Sequence, residues 1–304
     1  MVMQDSLEIK SLSVGFKLPQ GVFYAVDDVS IRLSAGKFTA IIGESGCGKS
    51  VLGQAVLNIL PQGVVKKGAV FYKDERVQSI LSAFGIIPQN PSGSLNPVRK
   101  IGRQMQDILD VYAINDAANA YKLQCLHLFG LQEAERVLAA YPHELSGGML
   151  QRVLCAMAVS TKPAWILADE PTKGLDEQVG AIVRENLLTI KHDLHLSMLV
   201  ITHDIALAKE VCDDVLVMYA GQILEYNTDL WRKPLHPYTQ GFLQALPQNG
   251  LQVIPGKAPV PGESFSGCKF AARCPHCTKR CREQRPEMYQ VGDAQVRCFL
   301  YAES

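Results

Sequence analysis

The stretch Lys37-Phe-Thr-Ala-Ile-Ile-Gly-Glu-Ser-Gly-Cys-Gly-Lys-Ser50 joins an apolar run to a glycine-rich loop. Its second half fits the pattern G-x-x-x-x-G-K-[ST], which binds phosphate groups when a strand precedes it and a helix follows it. The apolar run predicts the strand, and residues Lys49 to Leu60 predict a helix that ends before Pro61. The sequence therefore predicts a phosphate-binding site at a strand–loop–helix junction.

The residue types in this loop suit a nucleoside triphosphate. Glycines let backbone N–H groups curl around phosphate oxygens, and the start of the following helix adds partial positive charge. Lys49 is predicted to reach the β- and γ-phosphates, and the Ser50 hydroxyl to ligate Mg²⁺. The predicted nucleotide-binding residues of the loop are Gly43, Glu44, Ser45, Gly46, Cys47, Gly48, Lys49, Ser50 and Val51.

A second apolar run, Trp165-Ile-Leu-Ala, ends in an acidic pair, Asp169 and Glu170. Asp169 is predicted to hold the Mg²⁺, and Glu170 to orient and polarise the water that attacks the γ-phosphate. An acidic pair in this position can also do no more than cap the next helix. The phosphate loop upstream favours the catalytic interpretation.

Outward from these motifs, strands and helices alternate, which predicts an α/β fold with a mainly parallel sheet covered on both faces. Residues 92–138 are richer in helix formers and predict a helical insert. The composition changes near residue 245, where prolines and glycines leave no room for long regular elements. We therefore predict two domains, residues 1–245 and 246–304.

The composition excludes several classes of protein. The 304 residues are 47% hydrophobic and 20% charged, a globular balance, and 30 basic side chains offset 30 acidic ones. A strongly basic nucleic-acid-binding protein is therefore not indicated. No apolar run approaches the roughly 20 residues that span a bilayer, and the charged start lacks the apolar stretch of a signal peptide. We expect a soluble cytoplasmic chain that meets a membrane only through partners.

Tyr141-Pro-His-Glu-Leu-Ser-Gly-Gly-Met-Leu-Gln-Arg152 resembles the signature of ABC-type ATPases. Three further motifs occur in that family's order: Gln89 resembles the Q-loop glutamine, Asp176 the D-loop aspartate, and His203 the switch histidine. Each is weak alone, since Ser146, for example, also suits a helix N-cap. Together they make the resemblance specific.

This resemblance covers about residues 5–240. It implies a P-loop ABC-type nucleotide-binding domain with an antiparallel β subdomain and a helical insert at about 92–160, followed by a small Cys-rich extension. It also implies ATP as the nucleotide and Mg²⁺ as its metal ion.

The resemblance assigns further roles within a dimer. The phosphate loop of one chain holds ATP, and Ser146, Gly147 and Gly148 of another chain close over its γ-phosphate. Gln89 touches Mg²⁺ and the attacking water, and His203 senses the γ-phosphate. The resemblance also places Asp176 among the nucleotide-binding residues. ATP binding then closes the dimer, and hydrolysis reopens it.

In this family an aromatic side chain near the N-terminus stacks on adenine. Tyr24 is the predicted residue, with Phe23 and Phe16 as alternatives. Each of the three is also a plausible ordinary strand aromatic.

A narrower resemblance, to the ATPase subunits of dipeptide, oligopeptide and nickel importers, rests on six stretches: Ser94-Leu-Asn-Pro97, Tyr219-Ala-Gly221, Leu235-His-Pro-Tyr-Thr239, Ala245-Leu-Pro247, Ile254-Pro-Gly256 and Gly267-Cys-Lys-Phe-Ala-Ala-Arg-Cys-Pro275. It implies a second ATPase subunit in a heterodimer, two membrane permease subunits, and indirectly an extracytoplasmic solute-binding protein. The chain would then lie at the cytoplasmic face of the inner membrane.

Two positions depart from this branch and could alter the dimer contact. Leu150 replaces a usual basic residue, and Lys173-Gly174 replaces a usual small pair. An alternative function is a soluble ABC ATPase that is not linked to transport and carries a metal- or redox-sensing tail. Soluble ABC ATPases that act on DNA or ribosomes usually carry a coiled-coil insertion or two tandem cassettes, and this chain has neither.

Five of the nine cysteines lie at or beyond residue 268: Cys268, Cys274, Cys277, Cys281 and Cys298. In a reducing cytosol such a cluster indicates metal or redox chemistry more often than disulfides. Four thiolates can hold zinc or an iron–sulfur cluster, and the spacing lacks the paired C-x2-C knuckles of zinc ribbons.

Some members of the resembled branch carry a [4Fe–4S] cluster on this pattern. We therefore predict such a cluster on Cys268, Cys274, Cys281 and Cys298, with Zn²⁺ as the alternative and Cys277 as a bystander. Nearby basic residues are expected to offset the thiolate charge; they are Lys269, Arg273, Lys279, Arg280, Arg282 and Arg285. The remaining alternative is that the thiols are unligated and pack as small apolar groups.

Overall fold

The computed structural model describes residues 6–19, 21–77, 84–116, 119–260, 263 and 265–302. The predicted domains and helical insert therefore include some residues outside the described ranges. By contacts the described residues form two compact units, the first with residues 34–38 and 84–211, the second with residues 6–33, 39–77 and 212–302. Within the described ranges, no helix combines the length and apolarity needed to cross a membrane.

The strands in chain order are β1 (Leu7–Leu18), β2 (Gly21–Leu33), β3 (Phe38–Ile42), β4 (Val65–Tyr72), β5 (Glu75–Arg76), β6 (Phe84–Ile87), β7 (Trp165–Asp169), β8 (Ser197–Ile201), β9 (Asp214–Tyr219), β10 (Gln222–Asn227), β11 (Tyr289–Val291) and β12 (Ala294–Val296). The helices are α1 (Lys49–Val56), α2 (Pro91–Ser94), α3 (Ile101–Val111), α4 (Ala120–Leu128), α5 (Ala134–Ala139), α6 (Gly147–Ser160), α7 (Glu177–His192), α8 (Ile205–Val211), α9 (Pro237–Gln244) and α10 (Lys279–Glu283).

The first unit is built on parallel strands. β7 pairs with β6 on one side and β8 on the other, in a register that sets Ile87 opposite Ala168 and Asp169 opposite Ile201. Helices α2 to α6 form the helical insert. Of the five apolar residues at helical spacing in and just after α3, Ile101, Met105 and Leu109 are fully buried, while Ile108 and Tyr112 are half-buried.

The second unit contains an antiparallel sheet in the order β2–β1–β4–β5. Its other strands run in the order β3–β9–β10–β12–β11, with β3 parallel to β9 and the remaining pairs antiparallel. All five residues of β3 are buried, which explains its continuous apolar run. Both units mix helices and strands, and the antiparallel β subdomain expected from the sequence is present.

The structure differs from the sequence expectations at the end of α1. The helix ends at Val56 rather than Leu60, because Asn58 adopts a left-handed backbone with φ of +57° that stops the helix. Strand β12 pairs with β10, setting Glu225 opposite Val296, so the segment for which the sequence excludes only long regular elements adds a three-residue strand to this sheet.

Candidate functional site

The phosphate loop follows β3 in a conformation that requires glycine. Gly43, Gly46 and Gly48 have φ values of +151°, +78° and +107°. A Cβ on Gly43 would lie 2.1 Å from the Met218 carbonyl oxygen, and one on Gly48 would lie 2.1 Å from the Ala25 carbonyl oxygen. The backbone of this loop therefore approaches its neighbours too closely for any side chain at these two positions.

Lys49 lies along the loop. Its ammonium donates to the carbonyls of Gly43 at 2.9 Å and Glu44 at 3.2 Å, and the side chain is 7% exposed. No side chain of the described residues caps the start of α1, so its first N–H groups face the loop as an anion-binding helix start does. Among the other loop residues, Ser45, Gly46 and Ser50 are exposed, and Val51 is half-buried.

A cavity of about 360 Å³ in the second unit is lined by Tyr24 and Phe23 together with Gly46 and Cys47 of the loop. Phe16 pairs with Phe23 between β1 and β2 but does not line this cavity. Of the three aromatic residues predicted as alternatives, Tyr24 and Phe23 therefore share a cavity with the phosphate loop, and Phe16 does not.

The first unit brings Gln89, Glu170 and His203 to one edge, just beyond the carboxyl ends of the parallel strands β6, β7 and β8. Nδ1 of His203 lies 2.5 Å from Oε2 of Glu170, and the His203 backbone N–H donates to the same oxygen at 3.3 Å. Glu170 is 9% exposed, whereas Gln89 is exposed.

Glu170 sits at a sharp turn. Its backbone is left-handed with φ of +50°, and its N–H donates to the Ile201 carbonyl at 2.7 Å. Asp169, the last residue of β7, immediately precedes it. The turn directs the chain away from the sheet and leaves the two carboxylates at the strand end, as the sequence predicts.

The signature residues lie at the start of α6. Ser146 is its N-cap and accepts from the Met149 N–H at 3.3 Å. Gly147 is exposed, and a Cβ placed there would have no atom of the described residues within 4 Å. A Cβ on Gly148 would lie 2.8 Å from Cδ1 of Ile182, so this glycine permits close packing of α6 against α7. Ser146 and Gly147 are accessible to a second molecule.

The structure also describes the D-loop aspartate and the positions, Leu150 and Lys173-Gly174, that differ from the usual residues of the importer branch. Asp176 caps α7, its carboxylate accepting from the Val179 N–H at 2.9 Å. Leu150 is buried, which suits its apolar side chain, while Lys173 is exposed. Gly174 has a φ of +74°, which favours glycine at that position.

Cys268, Cys274, Cys281 and Cys298 line one cavity of about 170 Å³, and all nine cysteines are free thiols. Burial, with smaller contributions from the other three thiols, raises the pKa of Cys268 to about 11. Cys277 is not among the lining residues, and its thiol donates to the Thr278 carbonyl at 3.5 Å. In the part of the chain that the structure describes, no three His, Cys, Asp or Glu side chains are arranged to hold one metal ion.

His236 lines the same cavity. Its Nδ1 accepts from the Tyr238 N–H at 2.9 Å, and burial lowers its pKa to about 3, so the ring is neutral and its proton is on Nε2. Nε2 is buried, and a backbone hydrogen bond with Arg297 partly offsets the lowering of the ring's pKa.

The basic residues of the C-terminal segment behave differently from the sequence expectation. Arg273 pairs with Glu44 of the phosphate loop, while Lys269 and Arg285 pair with Asp27. Of the six, Arg280 lines the thiol cavity. Sequence reasoning missed the contact between Arg273 and the loop, because the two residues are 229 positions apart and no local pattern links them.

Comparison with known families gives two matches along the chain. The family described as ABC transporter matches residues 26–173, and the family described as oligopeptide/dipeptide transporter, C-terminal region, matches residues 225–281.

Curated relatives match almost the whole chain. The dipeptide transport ATP-binding protein DppD of Haemophilus influenzae is 37% identical over 96% of this chain and 94% of its own length. The oligopeptide transport ATP-binding proteins OppD of H. influenzae and AppD of Bacillus subtilis are 35% and 36% identical, each over 99% of this chain and over 99% and 98% of their own lengths.

Solved structures share the fold. The ATP-binding cassette MJ0796, in a dimeric post-hydrolysis state with ADP and Pi, has a TM-score of 0.60 at 24% identity and covers 73% of this chain and 98% of its own. The structure of cbiO1 from Clostridium perfringens, part of the ABC transporter complex cbiONQ, has a TM-score of 0.62 at 23% identity and covers 75% and 90%. At this level of sequence identity, the similarity is evidence for a shared fold only.

Proposed function

This chain belongs to the ATP-binding proteins of ABC transporters, in the oligopeptide/dipeptide group, and from that premise we propose that it hydrolyses ATP to drive peptide import. The observation that carries the proposal is the 35–37% identity, over nearly the whole chain, to dipeptide and oligopeptide transport ATP-binding proteins. Nickel remains the alternative cargo implied by sequence resemblance. A soluble, transport-independent ATPase is less favoured, because the match continues through the C-terminal region.

The residues described above have chemically distinct tasks in this reaction. The phosphate loop binds the triphosphate, with Lys49 on the β- and γ-phosphates and Tyr24 against the adenine. Mg²⁺, which neutralises phosphate charge, would be held by Ser50, Gln89 and Asp169. Glu170 accepts the proton of the attacking water.

His203 supports the task of Glu170. Its contact with Oε2 holds that carboxylate in one orientation, and its outward side can contact a γ-phosphate. Loss of the phosphate would release this contact, which gives the site two states that depend on hydrolysis.

A second chain is needed to complete each site. The exposed Ser146 and Gly147, at the start of the 14-residue helix α6, present N–H groups to a γ-phosphate held by a partner. We propose a heterodimer with a different ATPase subunit, with Gly148 and Asp176 at its contact.

We expect the isolated chain to be a weak ATPase whose specific activity rises with protein concentration, because without its proposed partner subunit it completes a site only by pairing weakly with a second copy of itself. Lys49→Ala and Ser146→Arg should each be inactive alone. Mixed, they should regain partial activity, since one of the two composite sites is then intact. Hydrolysis rates measured with light scattering at the same concentrations test this. Constant specific activity from a strictly monomeric protein would contradict it.

The proposed membrane partners are two permease subunits, which would place the chain at the cytoplasmic face of the cell membrane, with a solute-binding protein on the other side. A cleft of about 470 Å³ in the first unit supports this arrangement. It is lined by Ser94, Leu95 and Asn96, and also by Pro88, the residue before Gln89 in the chain. A permease segment in this cleft would be coupled to Gln89.

We further propose that the four thiols hold a [4Fe–4S] cluster, with Zn²⁺ as the alternative that four thiolates can also hold. The observation that supports a shared group is that all four thiols line one cavity, which Cys277 does not line. Within the described ranges, no three of them are already arranged around a single ion.

Replacing Cys274 or Cys281 with serine should abolish iron binding and expose the chain after about residue 245 to protease, because the cluster would hold that segment together. Cys277→Ser is the matched control and should keep its iron. Iron and sulfide analysis of anaerobically purified protein measures the result. Equal metal content in all three variants, or none in the wild type, would leave the thiols as packing residues.

A further inference from the structure

Arg273 connects the thiol-bearing segment to the phosphate loop. It immediately precedes Cys274, at the end of the turn Ala271–Arg273. Its Nη1 donates to both carboxylate oxygens of Glu44, each at 3.1 Å, and its side chain is 7% exposed. The Glu44 side chain is 26% exposed, so the ion pair is shielded from solvent mainly on the arginine side.

Further contacts hold the guanidinium in place. Its Nε donates to the Pro255 carbonyl at 3.1 Å and its Nη1 to the Tyr219 hydroxyl at 3.4 Å, and the group lies 5.8 Å from the Tyr219 ring centroid. The arginine is therefore fixed independently of Glu44. It acts as a rigid anchor and not as a flexible surface partner.

The carboxylate, the backbone N–H and the backbone carbonyl of Glu44 all make hydrogen bonds. Its carboxylate binds Arg273, its N–H donates to the Tyr238 hydroxyl at 3.1 Å, and its carbonyl accepts from Lys49 at 3.2 Å. Because Glu44 directly follows Gly43, these contacts fix the first turn of the phosphate loop. They also offset the negative charge of a carboxylate that belongs to the loop proposed to bind a triphosphate.

We propose that Arg273 is a positioning residue for ATP, which orients the phosphate loop through Glu44 and neutralises the carboxylate beside the phosphates. The inference rests on the proposed binding of ATP to this loop. It makes the C-terminal segment part of the nucleotide site's support, although no residue of that segment need touch the phosphates.

Equilibrium titration of the full chain with a fluorescent MgATP analogue tests the proposal. Arg273→Gln should weaken binding about tenfold, since it leaves the half-buried carboxylate of Glu44 without its ionic partner. Arg273→Lys keeps the charge and should stay within about threefold of wild type. The matched control, Arg282→Gln, changes an exposed arginine of the same segment and should bind like the wild type.

The double variant Glu44→Gln/Arg273→Gln separates positioning from general destabilisation. Removing the carboxylate should restore much of the affinity lost in Arg273→Gln, and the KM for ATP should follow the same order while kcat changes little. Wild-type affinity in Arg273→Gln, or a double variant no better than the single one, would overturn the proposal. Lys49→Ala tests ATP binding itself: if it binds as the wild type does, the site assignment fails instead.

Discussion

Replacing Glu170 with glutamine should lower the rate of ATP hydrolysis by about 10²–10⁴-fold, because the amide cannot accept a proton from the attacking water. Glutamine keeps the shape of the side chain and one oxygen toward His203, so the turn at φ of +50° should persist. ATP binding should therefore be retained, and the ATP-bound dimer should accumulate because the step that opens it is blocked.

Steady-state hydrolysis and light scattering in the presence of MgATP measure these two effects. Glu177→Gln is the matched control: Glu177 is an exposed acidic residue in the first turn of α7, and its variant should hydrolyse ATP normally. Turnover of Glu170→Gln within about threefold of wild type would rule out Glu170 as the base, since loss of a positioned base costs far more.

Gly48→Ala should lower the free energy of unfolding by about 3 kcal/mol or more, and its loop should lose nucleotide binding. The new Cβ would sit 2.1 Å from the Ala25 carbonyl oxygen in a backbone with φ of +107°, and neither atom is the end of a flexible side chain. The loop must shift to accept it.

Gly46→Ala provides the comparison for this prediction. Gly46 also has a positive φ, +78°, but a Cβ there meets no atom of the described chain within 4 Å. Gly46→Ala should lower the free energy of unfolding only by the backbone strain, about 1–2 kcal/mol. Urea unfolding of both variants measures the difference, and equal stabilities would show that the close approach at Gly48 does not constrain the loop.

The sequence predicts those parts of the fold that depend on local residue patterns, such as an apolar run or a helical spacing of apolar residues. The apolar run before Gly43 becomes a fully buried strand, and the helical spacing of Ile101, Met105 and Leu109 becomes a buried face. The placement of Gln89, Glu170 and His203 at one edge follows because each comes directly after a parallel strand. Regular periodicity and parallel pairing suffice for these inferences.

Other features depend on contacts between distant residues, which no local pattern encodes. The basic residues near the thiols suggest charge compensation of thiolates, yet Arg273 and Lys269 pair with Glu44 and Asp27 from the other end of the chain. Strands β11 and β12 have three residues each, too few to show periodicity. The cysteine spacing alone suggests a four-thiol site, the family resemblance sets Cys277 aside, and the folded chain adds that the four remaining thiols line one cavity.

Peptide uptake by cells that carry Glu170→Gln in their own copy of the gene tests the central claim most directly. A mixture of radiolabelled dipeptides and longer peptides, with nickel-63 as a parallel cargo, covers the alternatives implied by the sequence. The account predicts that uptake of at least one peptide length class falls more than about tenfold, because its importer loses hydrolysis. Unchanged uptake of every peptide in the mixture would contradict it.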